Sequence, residues 1–150
     1  MYHKMLVPLD GSPSGECVLE HVIGLARGCK ITDVTLIYVI EPFNPAVYET
    51  TPAFIAQVQE AAVSSASDYL SGIVARLKTA GITAKPVIVK GRAADSILEY
   101  TASNQVDLIA MSTHGRSGIT RWLLGSVADK VAHGASAMVF LAPPAGCRTD

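Results

Sequence analysis

Short apolar runs, each followed by a stretch of helical period, constrain this chain more than any other feature. Residues 3–9 hold Met5, Leu6, Val7 and Leu9, and residues 32–40 are β-branched and almost wholly apolar from Val34. Residues 84–89, 106–111 and 137–142 repeat the pattern. Runs this short without polar alternation are strands buried on both faces, as parallel strands are. Between them the period changes. Val18, Leu19, Val22, Ile23 and Ala26 predict a first helix to about Arg27, with Ser12 as its cap, Pro13 in its first turn and Gly28 as its stop. Ile55, Val58, Ala62, Ala66, Tyr69, Ile73 and Leu77 predict a long helix over residues 54–80. Ala94, Ile97, Leu98 and Thr101 predict another over 93–103, and Ser126-Val127-Ala128-Asp129 has the form of a capping box opening the last, ended by Gly134. Residues 41–52, with Pro42, Pro45 and Pro52, read as a loop.

Strands and helices in strict alternation mean a parallel sheet covered on both sides. The expected fold is α/β: a single doubly wound five-stranded parallel sheet, Rossmann-like, in the order 3-2-1-4-5 with helices on both faces. Pro86 places the third strand near an edge. One domain over residues 1–150 is expected, since 150 residues suit one core.

With 49% hydrophobic and 17% charged residues and a net charge of −1, the chain is neither disordered nor a basic nucleic-acid binder. Its apolar runs fall short of the roughly 18 residues a membrane span needs. Met1-Tyr2-His3-Lys4 leads straight into the first strand without a signal-peptide core, so a cytoplasmic location is expected. Cys17, Cys29 and Cys147 are odd in number and widely spaced with no CxxC pair, so neither a disulfide framework nor a zinc site is expected.

In such sheets ligands bind beyond the carboxyl ends of the strands. There is no GxxxxGK[ST], no GxGxxG after the first strand and no GxSxG elbow. What remains is the stretch Met111-Ser112-Thr113-His114-Gly115-Arg116-Ser117-Gly118, continuing to Gly125-Ser126. Gly115 and Gly118 allow backbone N–H groups to converge on an anion, and a helix starting at Gly125-Ser126 adds free N–H groups and its dipole. A glycine-rich loop with an ordinary serine cap is the alternative. Arg116, between the two glycines, is a candidate phosphate donor; Arg121 stands beside Trp122 and could stack there. His114 could contact phosphate or assist hydrolysis, or be a polar loop residue with no catalytic task. Asp10 at the end of the first strand could hold ribose hydroxyls, or form an Asx turn or helix cap.

These residues resemble the universal stress proteins, and the resemblance covers essentially the whole chain. It rests on the strand from Lys4 into Asp10-Gly11-Ser12 and on the glycine loop. In the family's nucleotide-binding branch that loop reads Gly, two residues, Gly, nine residues, then Gly with Ser or Thr. Here Gly115 is followed by nine residues, Arg116 to Leu124, and then Gly125-Ser126; Ser112 replaces the first glycine. The resemblance implies that Asp10 holds the ribose of ATP, with the Pro8 and Leu9 backbone nearby, and that the Val39 backbone meets adenine. Ser112, Gly115, Arg116, Gly125, Ser126 and Val127 would surround the phosphates, with Met111, His114 and Gly118 in the same stretch. Mg²⁺ or Mn²⁺ would ride on the phosphates rather than on protein ligands. A homodimer through the last strand, Ala137 to Leu141, is also implied. The function expected is an ATP-binding stress or signalling module with slow or no hydrolysis. Two other readings stand beside it: a nucleotide hydrolase or phosphotransferase using His114, and a non-nucleotide dimeric interaction protein in which Ser112 marks a lost site.

Overall fold

The computed structural model describes residues 1–44, 46, 51–114 and 124–143. Gly115, Arg116, Gly118, Arg121 and Trp122, and with them the centre of the loop, lie outside the described residues, as does Cys147. Five strands alternate with helices: β1 (Lys4–Leu9), α1 (Pro13–Glu16), α2 (Leu19–Gly28), β2 (Asp33–Ile40), α3 (Pro52–Thr79), β3 (Ala84–Lys90), α4 (Ala93–Ser103), β4 (Leu108–Ser112), α5 (Ser126–Gly134) and β5 (Met138–Ala142). All strands are parallel, in the order β3-β2-β1-β4-β5. Fold class and strand order are those the sequence implies, and Pro86 does lie on an edge strand.

The strand pleat sends alternate side chains to opposite faces. Met5 and Val7 of β1 join Val22 of α2 and Leu70 and Leu77 of α3 in one core layer. Leu6, between them, joins Ile97 of α4 and Val131 of α5 in the other. Burying both faces is what makes the strands read as continuous apolar runs.

Gly28 and Gly134, expected as stops, are the last residues of α2 and α5, and other boundaries differ more. The first helix is two pieces: Cys17 N–H bonds Ser14 C=O at 3.4 Å, an i→i−3 tightening that ends α1 before α2 restarts from Val18. Pro52 belongs to α3, not to the loop before it; Thr51 caps the helix by accepting from Phe54 N–H at 3.3 Å, and proline suits the position after a cap. β4 starts later than Val106, whose N–H closes the end of α4 on Thr101 C=O at 3.1 Å, and ends later, because Ser112 pairs with Ala142 of β5. Lastly, Ser126 is not a cap. Gly125 is, and it makes no side-chain capping bond.

α3 is the element that reaches furthest. Its 28 residues span about 42 Å against roughly 26 Å for an eight-residue strand. Its buried residues, Ala66, Leu70, Ile73 and Leu77, all lie in the second half of the helix. The first half therefore projects beyond the carboxyl edge of the sheet, where β1 and β4 end.

Candidate functional site

At that edge lies a cavity of about 690 Å³, within the usual range for small-molecule sites. β1 contributes Pro8 and Leu9, with Asp10 just past its end; β2 contributes Tyr38 and Val39; β4 contributes Met111 and Ser112, with His114 beyond. The start of α5 supplies Gly125, Ser126 and Val127. Every described residue that the sequence offers as a nucleotide-binding candidate thus lines one cavity, though the chain separates Asp10 from Gly125 by more than a hundred positions. The walls add residues that the sequence does not mark. Ala62 and Ser65 come from the projecting half of α3, Ala93 and Ile97 from α4, and Glu41 follows β2. Small side chains carry no chemical mark; helical period allows Ala62 to be placed on a face, but not over a ligand.

Asp10 has the turn role that was its plainer reading. Its Oδ1 accepts from Ser12 N–H at 2.9 Å and from the Ser12 hydroxyl at 2.5 Å. Ser12 in turn caps α1, accepting from Gly15 N–H at 3.0 Å. The carboxylate is therefore anchored at the cavity wall rather than swinging freely.

Ser112 is 93% buried, being only 7% exposed. Its hydroxyl donates to His114 C=O at 3.0 Å and accepts from His114 N–H at 3.4 Å. The side chain is folded back on its own turn instead of projecting into the space a glycine would leave open. Thr113 Oγ1 holds His114 Nδ1 at 2.9 Å, while His114 Nε2 is buried and has no hydrogen-bond partner.

Gly125 is packed against this turn. Its N–H donates to Thr113 C=O at 2.8 Å, and a Cβ built on it would stand 2.9 Å from that oxygen. Its φ of −59° is open to any residue, so glycine is required by the close approach and not by backbone conformation. With no capping side chain at Gly125, the first-turn N–H groups of α5 are left for another partner. They carry the positive end of the helix dipole.

Among the described lining residues Asp10 and Glu41 are the carboxylates and none is Lys or Arg. No group of three His, Cys, Asp or Glu able to hold a metal occurs among the described residues. No helix there is long and apolar enough to cross a membrane. Among the described residues, the start of α5 is thus the part of the cavity best suited to an anion.

A model of the universal stress protein family matches residues 1–143. The chain belongs to the universal stress protein family. A relative, universal stress protein MJ0531 of Methanocaldococcus jannaschii, is 28% identical over 141 residues, covering 94% of this chain and 82% of its own length. The solved structure of protein MJ0577, from the same organism, is 28% identical over 95% of this chain and 96% of its own, with a TM-score of 0.83. A universal stress protein solved in complex with cAMP is 22% identical, covers 95% of this chain and 98% of its own, and shares the fold at a TM-score of 0.69.

Proposed function

We propose that the cavity binds an adenine nucleotide, ATP above all, and that partner proteins read its occupied and empty states in a cytoplasmic stress or signalling response. The observation that carries this reading is convergence. The ribose candidate Asp10, the adenine candidate Val39 and the phosphate candidates Ser112, Gly125, Ser126 and Val127 come from four elements to one cavity. The uncapped start of α5 suits a phosphate group, with N–H donors and dipole aimed at negative charge. The Ser112 hydroxyl is bonded back to the His114 backbone, which supports a site that tolerates serine in place of the family's first glycine. The family relative holding cAMP points to the same class of ligand.

With two carboxylates and no lysine or arginine among the described lining residues, the phosphates need Mg²⁺ or Mn²⁺, together with Arg116 from the loop. Hydrolysis is slow or absent, since among the described lining residues no lysine stands ready for the γ-phosphate. The apolar edge at β5, with Met138 exposed and Val139, Phe140 and Leu141 half-buried, supports pairing with a second copy, because an open apolar edge otherwise invites aggregation.

One observation favours the hydrolase reading: an imidazole held at Nδ1 by Thr113, with Nε2 buried and unpartnered, is an oriented one. The test covers both. Protein purified natively is denatured, and the small molecules released are separated by chromatography; calorimetry with ATP and Mg²⁺ follows. Adenine nucleotide in the extract, or a binding isotherm, supports the proposal, and the absence of both overturns it in favour of the interaction-protein reading. His114→Ala then separates binder from enzyme: unchanged turnover removes His114 as a catalyst.

A further inference from the structure

Two hydrogen-bonded fastenings of Asp10 among the described residues lead to the same place. Its carboxylate is bonded to Ser12, the cap of α1. Its backbone C=O accepts from the Tyr38 hydroxyl at 3.3 Å. The Tyr38 ring meets the Tyr69 ring of α3 edge-on, with centroids 6.1 Å apart. The Tyr69 hydroxyl donates to Glu16 Oε1 at 3.1 Å, and Arg76, two turns further along α3, bonds Glu16 Oε2 at 2.8 Å. Glu16 is the last residue of α1, so the circuit closes on the element where it began.

α1 has four residues, too few to hold its own orientation without tertiary contacts. It also abuts the carboxylate directly: a Cβ on Gly15 would stand 2.7 Å from Asp10 Oδ1. A shift of α1 is therefore passed to Asp10 both by contact and through Ser12. Its C-terminal end is pinned to α3 through Glu16, by the half-buried Tyr69 and by the more exposed Arg76. Burial, reinforced by the Glu16 charge, pushes the Tyr69 hydroxyl well above the ordinary tyrosine range, so it remains a donor at physiological pH. The Arg76–Glu16 pair is a surface bridge and counts for less.

We propose that Glu16 and Tyr69, neither of which lines the cavity, are positioning residues that fix where the Asp10 carboxylate points and thereby set recognition of the ribose hydroxyls. The inference rests on the nucleotide reading above. It adds that sugar recognition is controlled from α3, across the molecule's outer layer.

The test is calorimetric titration with Mg–ATP and with Mg–2′,3′-dideoxy-ATP, on wild type, Tyr69→Phe, Glu16→Ala and Glu16→Gln. A charged hydrogen bond to the ribose makes wild type prefer ATP by about tenfold or more. In Tyr69→Phe and Glu16→Ala that preference falls to about threefold or less, through weaker ATP binding alone. Glu16→Gln keeps an acceptor for Tyr69 and keeps the wild-type preference. The proposal is overturned if the preference survives in Tyr69→Phe and Glu16→Ala, or if both ligands weaken in equal proportion, as general loosening would produce. Wild type binding both ligands equally leaves the nucleotide reading standing and overturns this one. Wild type binding neither overturns both.

Discussion

Gly125→Ala is the smallest change that separates a phosphate-binding helix start from an ordinary one. The added methyl would lie 2.9 Å from the Thr113 carbonyl oxygen and 3.7 Å from His114 Cα. That is about half an ångström inside ordinary contact, and the obstacle is backbone that cannot swing away. The first turn of α5 or the Thr113–His114 turn must move, and the 2.8 Å bond from Gly125 N–H to Thr113 C=O is stretched. Overpacking of this kind costs the fold about 1–3 kcal/mol. The cost to binding is larger. Hydrogen bonds to a charged phosphate contribute about 1.5–3 kcal/mol each, so losing one or two of the α5 donors weakens ATP by about 100-fold. Titration calorimetry with Mg–ATP, alongside a thermal melt, reads both quantities, and light scattering should show the variant in the same oligomeric state as wild type. Wild-type affinity in a folded Gly125→Ala protein would refute the reasoning, because the close approach would then have no bearing on the phosphate site.

Three further outcomes are expected. Gly72 lies within α3 and a methyl there meets nothing within 4 Å, so Gly72→Ala should raise stability by about 0.5–1 kcal/mol in urea unfolding, through helix propensity alone; a loss would contradict the packing described for α3. Asp107 accepts backbone N–H bonds from His3 at 2.7 Å and Lys4 at 2.8 Å, and these hold its carboxyl below the ordinary range. A lowered folded pKa stabilises above the unfolded value and is lost as pH falls through the folded one, so the gap between wild type and Asp107→Asn should be widest at neutral pH and close below about pH 4; a gap independent of pH in acid-unfolding curves would exclude this. Met138→Lys places a charge on the exposed apolar edge of β5, and light scattering should find monomer that still binds ATP; a dimer of wild-type strength would place the interface elsewhere.

The sequence shows some of this well and some not at all, for physical reasons. Buried-strand runs such as Val34 to Ile40 are legible because a two-sided core leaves no polar alternation to confuse them. Asp10 and Gly125 stand out because position after a strand or before a helix has chemical meaning in an α/β sheet. Ser126 was misplaced by one position: serine is the commoner cap, but the Thr113 carbonyl lies so close that only glycine can occupy the capping position, and that contact is 12 residues away in the chain. Ser112 read as loop because its strand partner, Ala142, is known only once β5 is docked. Ala62 and Ser65 reach the cavity because α3 is longer than the sheet is deep, a mismatch between two elements that neither sequence segment states. The Tyr38–Tyr69–Glu16 circuit is likewise tertiary: tyrosines with apolar neighbours read as core, and their hydroxyl partners come from other elements.

The central claim is that the carboxyl edge of the sheet holds ATP with its phosphates on the start of α5. Backbone amide shifts measured by nuclear magnetic resonance during titration with Mg–ATP address it directly. The largest changes should fall on Gly125, Ser126, Val127 and Ala128, with a second group at Asp10 to Ser12 and around Ser112 to His114. An amide spectrum unchanged by Mg–ATP, or shifts confined to residues remote from this edge, would contradict the claim.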